Sequence, residues 1–227
     1  MKIELDFLEG LAQWPLLAKG VAWTLALTVL SAALGGIVGV TCAWARAYGA
    51  KTLRWIAATY VELARNTPFI VQLFFVFFGL PAAGVKLPPE IASIIAMVVN
   101  LGAYATEIIR AGLDATPRGQ YDAAKALGLN RLQMFRLVVL PPALSKVWPA
   151  MGSQIVIVML GSAVSGQIST EELSCAANLI QSRNFRAFES FIIAGAIYLA
   201  LAIGARKLLG WVGPRLLFGA SANAGAR

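Results

Sequence analysis

The chain has 227 residues, of which 59% are hydrophobic and 13% charged, and its mean hydropathy is +0.72. Soluble domains carry about 25% charged residues, so this composition excludes one and points to an integral membrane protein of a single domain. The net charge of +8 sits in short loops between apolar runs, where it reads as a topology signal and not as a nucleic-acid surface.

The first apolar run, Val21 to Ala45, holds no charge. At about 1.5 Å per residue it exceeds the roughly 30 Å hydrocarbon core of a bilayer, so it is a full span. Within it, Gly35-Gly36-x-x-Gly39 is a small-residue face suited to close packing on another helix. A second run, from about Trp55 to Leu80, is a span interrupted by Glu62, Arg65 and the break Asn66-Thr67-Pro68. The third, Ile91 to about Ile109, contains Glu107 near its end, and the fourth, Val147 to about Ser169, is uncharged but contains Pro149 and several glycines. The fifth, Ser190 to Ala205, is short and ends on Arg206 and Lys207, which can snorkel to the interface. The expected fold class is therefore all-α and integral to the membrane, with five transmembrane helices. An extracytoplasmic segment would occupy residues 1–19, the transmembrane domain residues 20–210 and a cytoplasmic tail residues 211–227.

An odd number of spans puts the termini on opposite sides. With the N-terminus outside, 13 of the 19 basic residues fall inside: Arg46, Lys51, Arg54, Arg110, Arg118, Lys125, Arg131, Arg136, Lys146, Arg206, Lys207, Arg215 and Arg227. The positive-inside rule selects that orientation, a multi-pass protein with a cytoplasmic C-terminus. The acidic start, Glu4, Asp6 and Glu9, lacks the basic region of a cleavable signal peptide, so the first helix is read as retained.

Histidine is absent, which removes imidazole acid/base chemistry, histidine metal ligation and histidine-based triads. Cys42 falls in the first helix and Cys175 in an outside loop, so neither a disulfide nor a metal pair is expected. No phosphate-binding loop occurs: in the nearest candidate, Gly79 to Lys86, the lysine does not directly follow the second glycine. If ATP powers this protein, another chain binds it, and no nucleophile, base and orienter can be assembled into an enzyme site.

The loop over residues 114–141 is charged and helix-forming. Thr116 is an N-cap candidate with Pro117 at the first helical position, and the helix runs through Tyr121-Asp122-Ala123-Ala124-Lys125-Ala126-Leu127 to end at Gly128. Asn130 can cap a second short helix, Arg131 to Val139, which Pro141-Pro142 would stop. This hairpin reads in two ways. It is either an amphipathic element lying on the lipid interface with Leu127, Leu132, Met134 and Phe135 buried, or a docking handle for a cytoplasmic partner.

At this point the residues resemble a family. The pattern E-A-A-x3-G-x9-I-x-L-P of the membrane subunits of ATP-binding-cassette importers is similar to Asp122-Ala123-Ala124, Gly128 and Val138-x-Leu140-Pro141, with the spacings kept and Asp for Glu and Val for Ile. The branch for polar amino acids (histidine, glutamine, arginine, glutamate) is resembled by Tyr60 to Pro68, Val71-Gln72-Leu73-Phe74-Phe75, Phe78-Gly79-Leu80-Pro81, Tyr104-x-x-Glu107-Ile108-Ile109-Arg110-x-Gly112 and Pro117-x-Gly119-Gln120. The resemblance covers roughly residues 20 to 215. It implies a type I importer fold that works with a cytoplasmic ATPase dimer, a second membrane subunit and an extracytoplasmic solute-binding protein, with ATP and magnesium on the ATPase and none bound by this chain. The hairpin would be the coupling helix, with Tyr121, Asp122, Ala123, Ala124, Leu127, Gly128 and Leu129 meeting the ATPase.

The path for a polar amino acid would run past polar residues inside apolar helices. The candidates are Glu62, Arg65, Gln72, Asn100, Tyr104, Ser153 and Gln154, each of which can equally serve as interhelical hydrogen-bond glue. Glu62 and Arg65, three apart, can also simply pair with each other, and Glu107 and Arg110 share that spacing in a structural role or a subunit contact. Relatives usually carry a Lys-Asp pair late in the fourth span, whereas the matching stretch here is Leu160-Gly161-Ser162-Ala163-Val164. That departure suggests either an unusual ligand or an asymmetric partnership in which a different membrane subunit supplies the missing contacts, a heterodimer being favoured over a homodimer. The outer stretch Ser165 to Thr170, with Glu171, Glu172, Arg183 and Arg186, would meet the binding protein or stand as a solvated loop. Two rival readings remain, a secondary transporter or channel and a non-transporting membrane scaffold, although five spans show no inverted repeat.

Overall fold

The computed structural model describes residues 6–213 and 215. The first five residues and most of the tail over 211–227, with Lys2, Glu4 and Arg227 among them, lie outside the described residues. In chain order the helices are α1 (Leu8–Ala12), α2 (Trp14–Tyr48), α3 (Lys51–Arg65), α4 (Phe69–Ala82), α5 (Pro89–Asp114), α6 (Arg118–Ala126), α7 (Arg131–Ile168), α8 (Leu173–Asn184) and α9 (Ala187–Val212). No strand occurs among the described residues. By length and composition α2, α5, α7 and α9 can each cross a membrane, and the pair α3 and α4 makes a fifth if counted as one bent span.

Two proline-containing stretches shape the outline, the first as a break where an interruption is expected and the second as a continuous helix where a stop is expected. The second span is not one straight helix, because its two halves meet at 110°. Pro68 excludes the helical conformation at Thr67 and takes up an extended one itself (φ −56°, ψ 140°), while the Asn66 amide and the Thr67 hydroxyl turn back onto the carbonyls of Glu62 (2.8 Å) and Leu63 (2.7 Å). Conversely, Pro141-Pro142 does not stop the helix that follows Asn130, which continues as the 38 residues of α7. The turn directly before the prolines, Met134–Val139, is π-helical, and this widened coil carries the chain past two residues that donate no hydrogen bond. The same device precedes Pro81, where Phe75–Gly79 is π-helical.

The chain divides into two compact units. One comprises residues 1–33, 68–98 and 156–205. Its apolar clusters gather Leu73, Ala92, Ala96 and Ile168, and separately Leu17, Leu173, Ala177, Ile180 and Ile193. The outer stretch, expected to meet the binding protein or to stand as a solvated loop, is partly folded into this unit: Ser162–Ile168 forms a 3-10 helix, Ser169 turns the chain at φ 65°, and Glu172 is 0% exposed. The Glu172 carboxylate caps α8, accepting the backbone N–H groups of Ser174 and Cys175, both at 2.9 Å, together with the Ser174 hydroxyl and the phenol of Tyr198 on α9. Gly166 is needed beside it, since a Cβ there would stand 2.9 Å from Glu172 Oε1 and 2.7 Å from Ser174 Oγ. Cys175 therefore belongs to the first turn of α8 and not to a loop. Burial, with the carboxylates of Glu172 and Glu171 beside it, pushes its thiol above the ordinary range. Both cysteines are free thiols.

The other unit comprises residues 34–67, 99–155 and 206–227. Its core joins Ala43, Ala105, Ile109, Phe135, Val139 and Ala143, so small residues let the backbones of α2, α5 and α7 come close. The expected glycine face works through two of its three members. A Cβ on Gly39 would meet Ala105 Cβ at 2.5 Å and one on Gly35 would meet Leu101 at 3.1 Å, whereas Gly36 faces open space.

Two stability tests follow from these contacts, each read as thermal unfolding in detergent. Gly39→Ala forces α2 off α5 and is expected to cost about 1–3 kcal/mol, while Gly36→Ala is neutral or slightly stabilising. Glu172→Ala takes the side-chain acceptor from two backbone N–H groups and the Tyr198 phenol, the Ser174 hydroxyl keeping the Ala163 carbonyl at 2.7 Å, and is expected to cost several times the roughly 1 kcal/mol of a single hydrogen bond, with Tyr198→Phe losing about one such bond.

Candidate functional site

The hairpin between α5 and α7 is built almost entirely from local capping chemistry. Thr116 does not cap α6: its hydroxyl turns back to the Gly112 carbonyl at 3.1 Å, and Pro117 holds the N-cap position in an extended conformation (φ −59°, ψ 139°). The helix thus starts at Arg118, because a proline at the boundary already fixes the entry angle. It ends as expected. Gly128 is left-handed at φ 68°, its N–H reaches the Lys125 carbonyl at 2.9 Å, and the Leu129 N–H reaches the Ala124 carbonyl at 3.2 Å, the paired bonds of a Schellman closure. Two residues on, Asn130 and Gln133 form a reciprocal capping box, each side chain accepting the other's backbone N–H at 2.9 Å.

These closures sort the hairpin's side chains into an inner and an outer set. Ala124 (1% exposed), Met134 and Phe135 (2%) are buried in the unit's core, with Tyr121 and Leu129 packed against them. Asp122, Ala123 and Gly128 are exposed, and Leu127 is 76% exposed. The four residues that the interfacial reading would bury on one face therefore divide into two pairs. Met134 and Phe135 are buried, but by protein, and Leu127 and Leu132 point out. Asp122 and Lys125 stand 3.6 Å apart on the outer face, an exposed pair that contributes little to stability.

Below the hairpin, α5 carries a chain of ions. Glu107 binds Arg46 of α2 and, through two hydrogen bonds of 3.0 and 2.8 Å, Arg110; Arg110 reaches on to Asp114 at 2.8 Å. The Glu107–Arg110 pairing agrees with the spacing, but Arg46 as its third member does not announce itself in sequence, being 61 residues away. Further bonds tie the hairpin's base to this helix end: the Tyr121 phenol to the Leu113 carbonyl at 3.3 Å and the Lys146 ammonium to the Ala115 carbonyl at 2.9 Å.

The polar residues put forward for a path do not form one cluster. Glu62 and Arg65 do not pair with each other. Glu62 accepts the Asn66 amide at 3.0 Å, and the Arg65 guanidinium lies 5.5 Å from the centre of the Tyr104 ring, which brings two of the candidates together across α3 and α5. Both charged residues are exposed and Tyr104 is half-buried. Ser153 donates to the Pro149 carbonyl at 3.1 Å, a bond within its own helix. Gln72, Asn100 and Gln154 are half-buried. Sequence reasoning placed Glu172 in an outer stretch and missed its burial: among the described residues it is the one charged residue at 0% exposure. The signal for it was the Glu172-Leu173 step ahead of an apolar helix, an N-cap position that a carboxylate fills well.

Comparison with known proteins fits this geometry. The profile of the family described as binding-protein-dependent transport system inner membrane component matches residues 15–218. The L-cystine transport system permease protein TcyB of Bacillus subtilis is 36% identical over 171 residues, covering 75% of this chain and 73% of its own. The arginine transport system permease protein ArtQ of the same organism is 33% identical over 202 residues, covering 88% and 92%. Among solved structures, an amino acid ABC transporter crystallised with histidines superposes with a TM-score of 0.84 at 34% identity, covering 94% of this chain and all of the matched one. The chain belongs to the binding-protein-dependent transport system inner membrane components: it is a membrane permease subunit of an ATP-binding-cassette importer, whose ATPase is a separate subunit.

Proposed function

We propose that this subunit moves a polar or charged amino acid, or a derivative of one, through the inner membrane, driven at its hairpin by the cytoplasmic ATPase dimer. The observation that carries the coupling reading is the division of the hairpin. One face is exposed around Asp122, Ala123, Leu127 and Gly128, the other is packed on the core through Tyr121, Ala124 and Leu129, and both ends of the turn are closed by hydrogen bonds. Such an element moves as one piece, which a lever must do if a partner's two states are to bias the membrane unit differently. ATP and magnesium belong to that partner. The Arg46–Glu107–Arg110 chain and the Tyr121–Leu113 bond give the hairpin's push a route into α5 and α2.

The basic loops support an orientation with the hairpin and the C-terminus in the cytoplasm and the N-terminus outside. Amino-acid cargo is supported by the relatives, whose names specify cystine and arginine, and by the solved amino acid ABC transporter. A soluble binding protein delivers the cargo on the outer side. Within the membrane, Glu62, Arg65 and Tyr104 are the polar groups best placed to meet it, with Gln72, Asn100, Ser153 and Gln154 as further contacts. A heterodimer is supported by the uncharged stretch Leu160 to Val164, whose Ser162 is buried and bonded to the Met159 carbonyl, so that a charged contact here would come from the second membrane subunit.

Three measurements check this reading. Gly128→Asp combines a strained left-handed residue with a charge on the docking face; uptake should be abolished and ATPase co-purification weakened while membrane insertion stays at the wild-type level, and normal uptake would sink the coupling assignment. In proteoliposomes, uptake should stop without internal ATP even when a proton gradient is intact. A membrane-impermeant thiol reagent should label Leu127→Cys only from the cytoplasmic side, and labelling from outside would reverse the orientation.

A further inference from the structure

The unit formed by residues 34–67, 99–155 and 206–227 holds a cleft of about 780 Å³ that the coupling reading does not use. Its walls come from three elements: α2 around Val38 to Ala45, α3 from Leu53 to Tyr60, and the start of α7 at Leu132, Phe135 and Arg136. The lining is almost wholly apolar; of its polar groups the Thr41 hydroxyl bonds the carbonyls of Ile37 and Val38 and the Tyr60 phenol bonds the Val99 carbonyl, while the buried Trp44 indole N–H has no partner among the described residues. Arg136 differs from all of these. It is the single charged residue in the lining, it is exposed, and no carboxylate within the described residues pairs with it. On the same unit, Lys51 and Arg54 at the start of α3 and Arg131 at the start of α7 are exposed and likewise unpaired among the described residues.

We infer that this cleft is a binding site for an anionic phospholipid, with one acyl chain laid between α2, α3 and α7 and the phosphate held by Arg136. The chemistry of the lining fixes the ligand class. A long apolar trough is best filled by a hydrocarbon chain, whereas a neutral zwitterionic headgroup brings its own cation and gains least from a lone guanidinium beside further unpaired basic residues. Arginine suits the role because its planar fork binds phosphate oxygens in pairs and remains charged. The alternative occupant, a helix of the second membrane subunit, would bury Arg136 unless it brought a carboxylate.

The test uses the assembled importer, with its ATPase, in nanodiscs of equal phosphatidylglycerol and phosphatidylcholine. Native mass spectrometry after mild detergent release should find phosphatidylglycerol retained on this subunit in preference to phosphatidylcholine. Retention should fall about five-fold or more in Arg136→Gln and persist in Arg136→Lys, the size expected for one basic side chain at a lipid phosphate. A photoactivatable phosphatidylglycerol should crosslink to peptides within residues 38–60. Equal retention of the two lipids, unchanged retention in Arg136→Gln, or efficient thiol crosslinking of Leu53→Cys to the second membrane subunit would each overturn the assignment. Should Arg136→Gln fail to assemble, the lipid preference and the photocrosslink of the wild-type importer still decide it. None of these readouts depends on transport, so a failure here leaves the coupling reading standing, and the reverse.

Discussion

The approach of α2 to α5 at Gly39 and Ala105 is the contact on which the rest of the second unit rests. With only the Ala105 methyl between them, the two backbones come close enough for Arg46, two turns further along α2, to reach Glu107 on α5. In a membrane this matters more than it would in water. Lipid tails are as apolar as leucine, so helices gain little by merely leaving lipid and depend on close packing and internal polar bonds. Glu107 then passes the constraint on through Arg110 to Asp114, at the last turn of α5, and the hairpin stands on that turn. A residue as small as glycine in the span thereby sets the position of an exposed helix on the surface.

The hairpin was legible in the sequence to an unusual degree because its structure is written in nearest-neighbour chemistry. Gly128 and Asn130 act within four residues of themselves, and their roles follow from residue type alone. What failed was equally local but depended on alternatives that composition does not rank. Thr116 had two acceptable partners, the start of α6 and the Gly112 carbonyl, and took the second. Pro141-Pro142 would stop a helix in an isolated peptide, yet here tertiary packing of Met134, Phe135 and Val139 holds the coil through it at the expense of a π turn. The spans themselves were legible from apolar length, apart from the 110° bend, whose angle no hydropathy pattern contains.

The polar residues within the apolar helices were the least legible part, and the reason is physical. A polar side chain in an apolar run signals only that it needs a partner, not which one. Glu62 and Arg65, with ideal spacing for each other, took Asn66 and the Tyr104 ring instead. Glu172 shows the converse. Preceded by Thr170 and Glu171 in an outer stretch, it has the surroundings of a surface carboxylate, but Gly166 packed beside it and a tyrosine 26 residues on close over it.

Both ends of α8 are bounded by non-glycine residues in left-handed conformations, Ser169 before it at φ 65° and Phe185 at its end at φ 57°. Each costs on the order of 1 kcal/mol that a glycine would not. At 12 residues the helix is also near the lower limit of what can persist alone in water. Its C-terminal boundary is therefore not set by the glycine that usually closes a helix. The helix takes its limits from what surrounds it, the enclosed Glu172 at one end and the burial of Leu173, Ala177 and Ile180 along its face. As a free peptide this segment would be mostly unstructured, so α8 is a helix by virtue of its address in the fold and not by virtue of its composition.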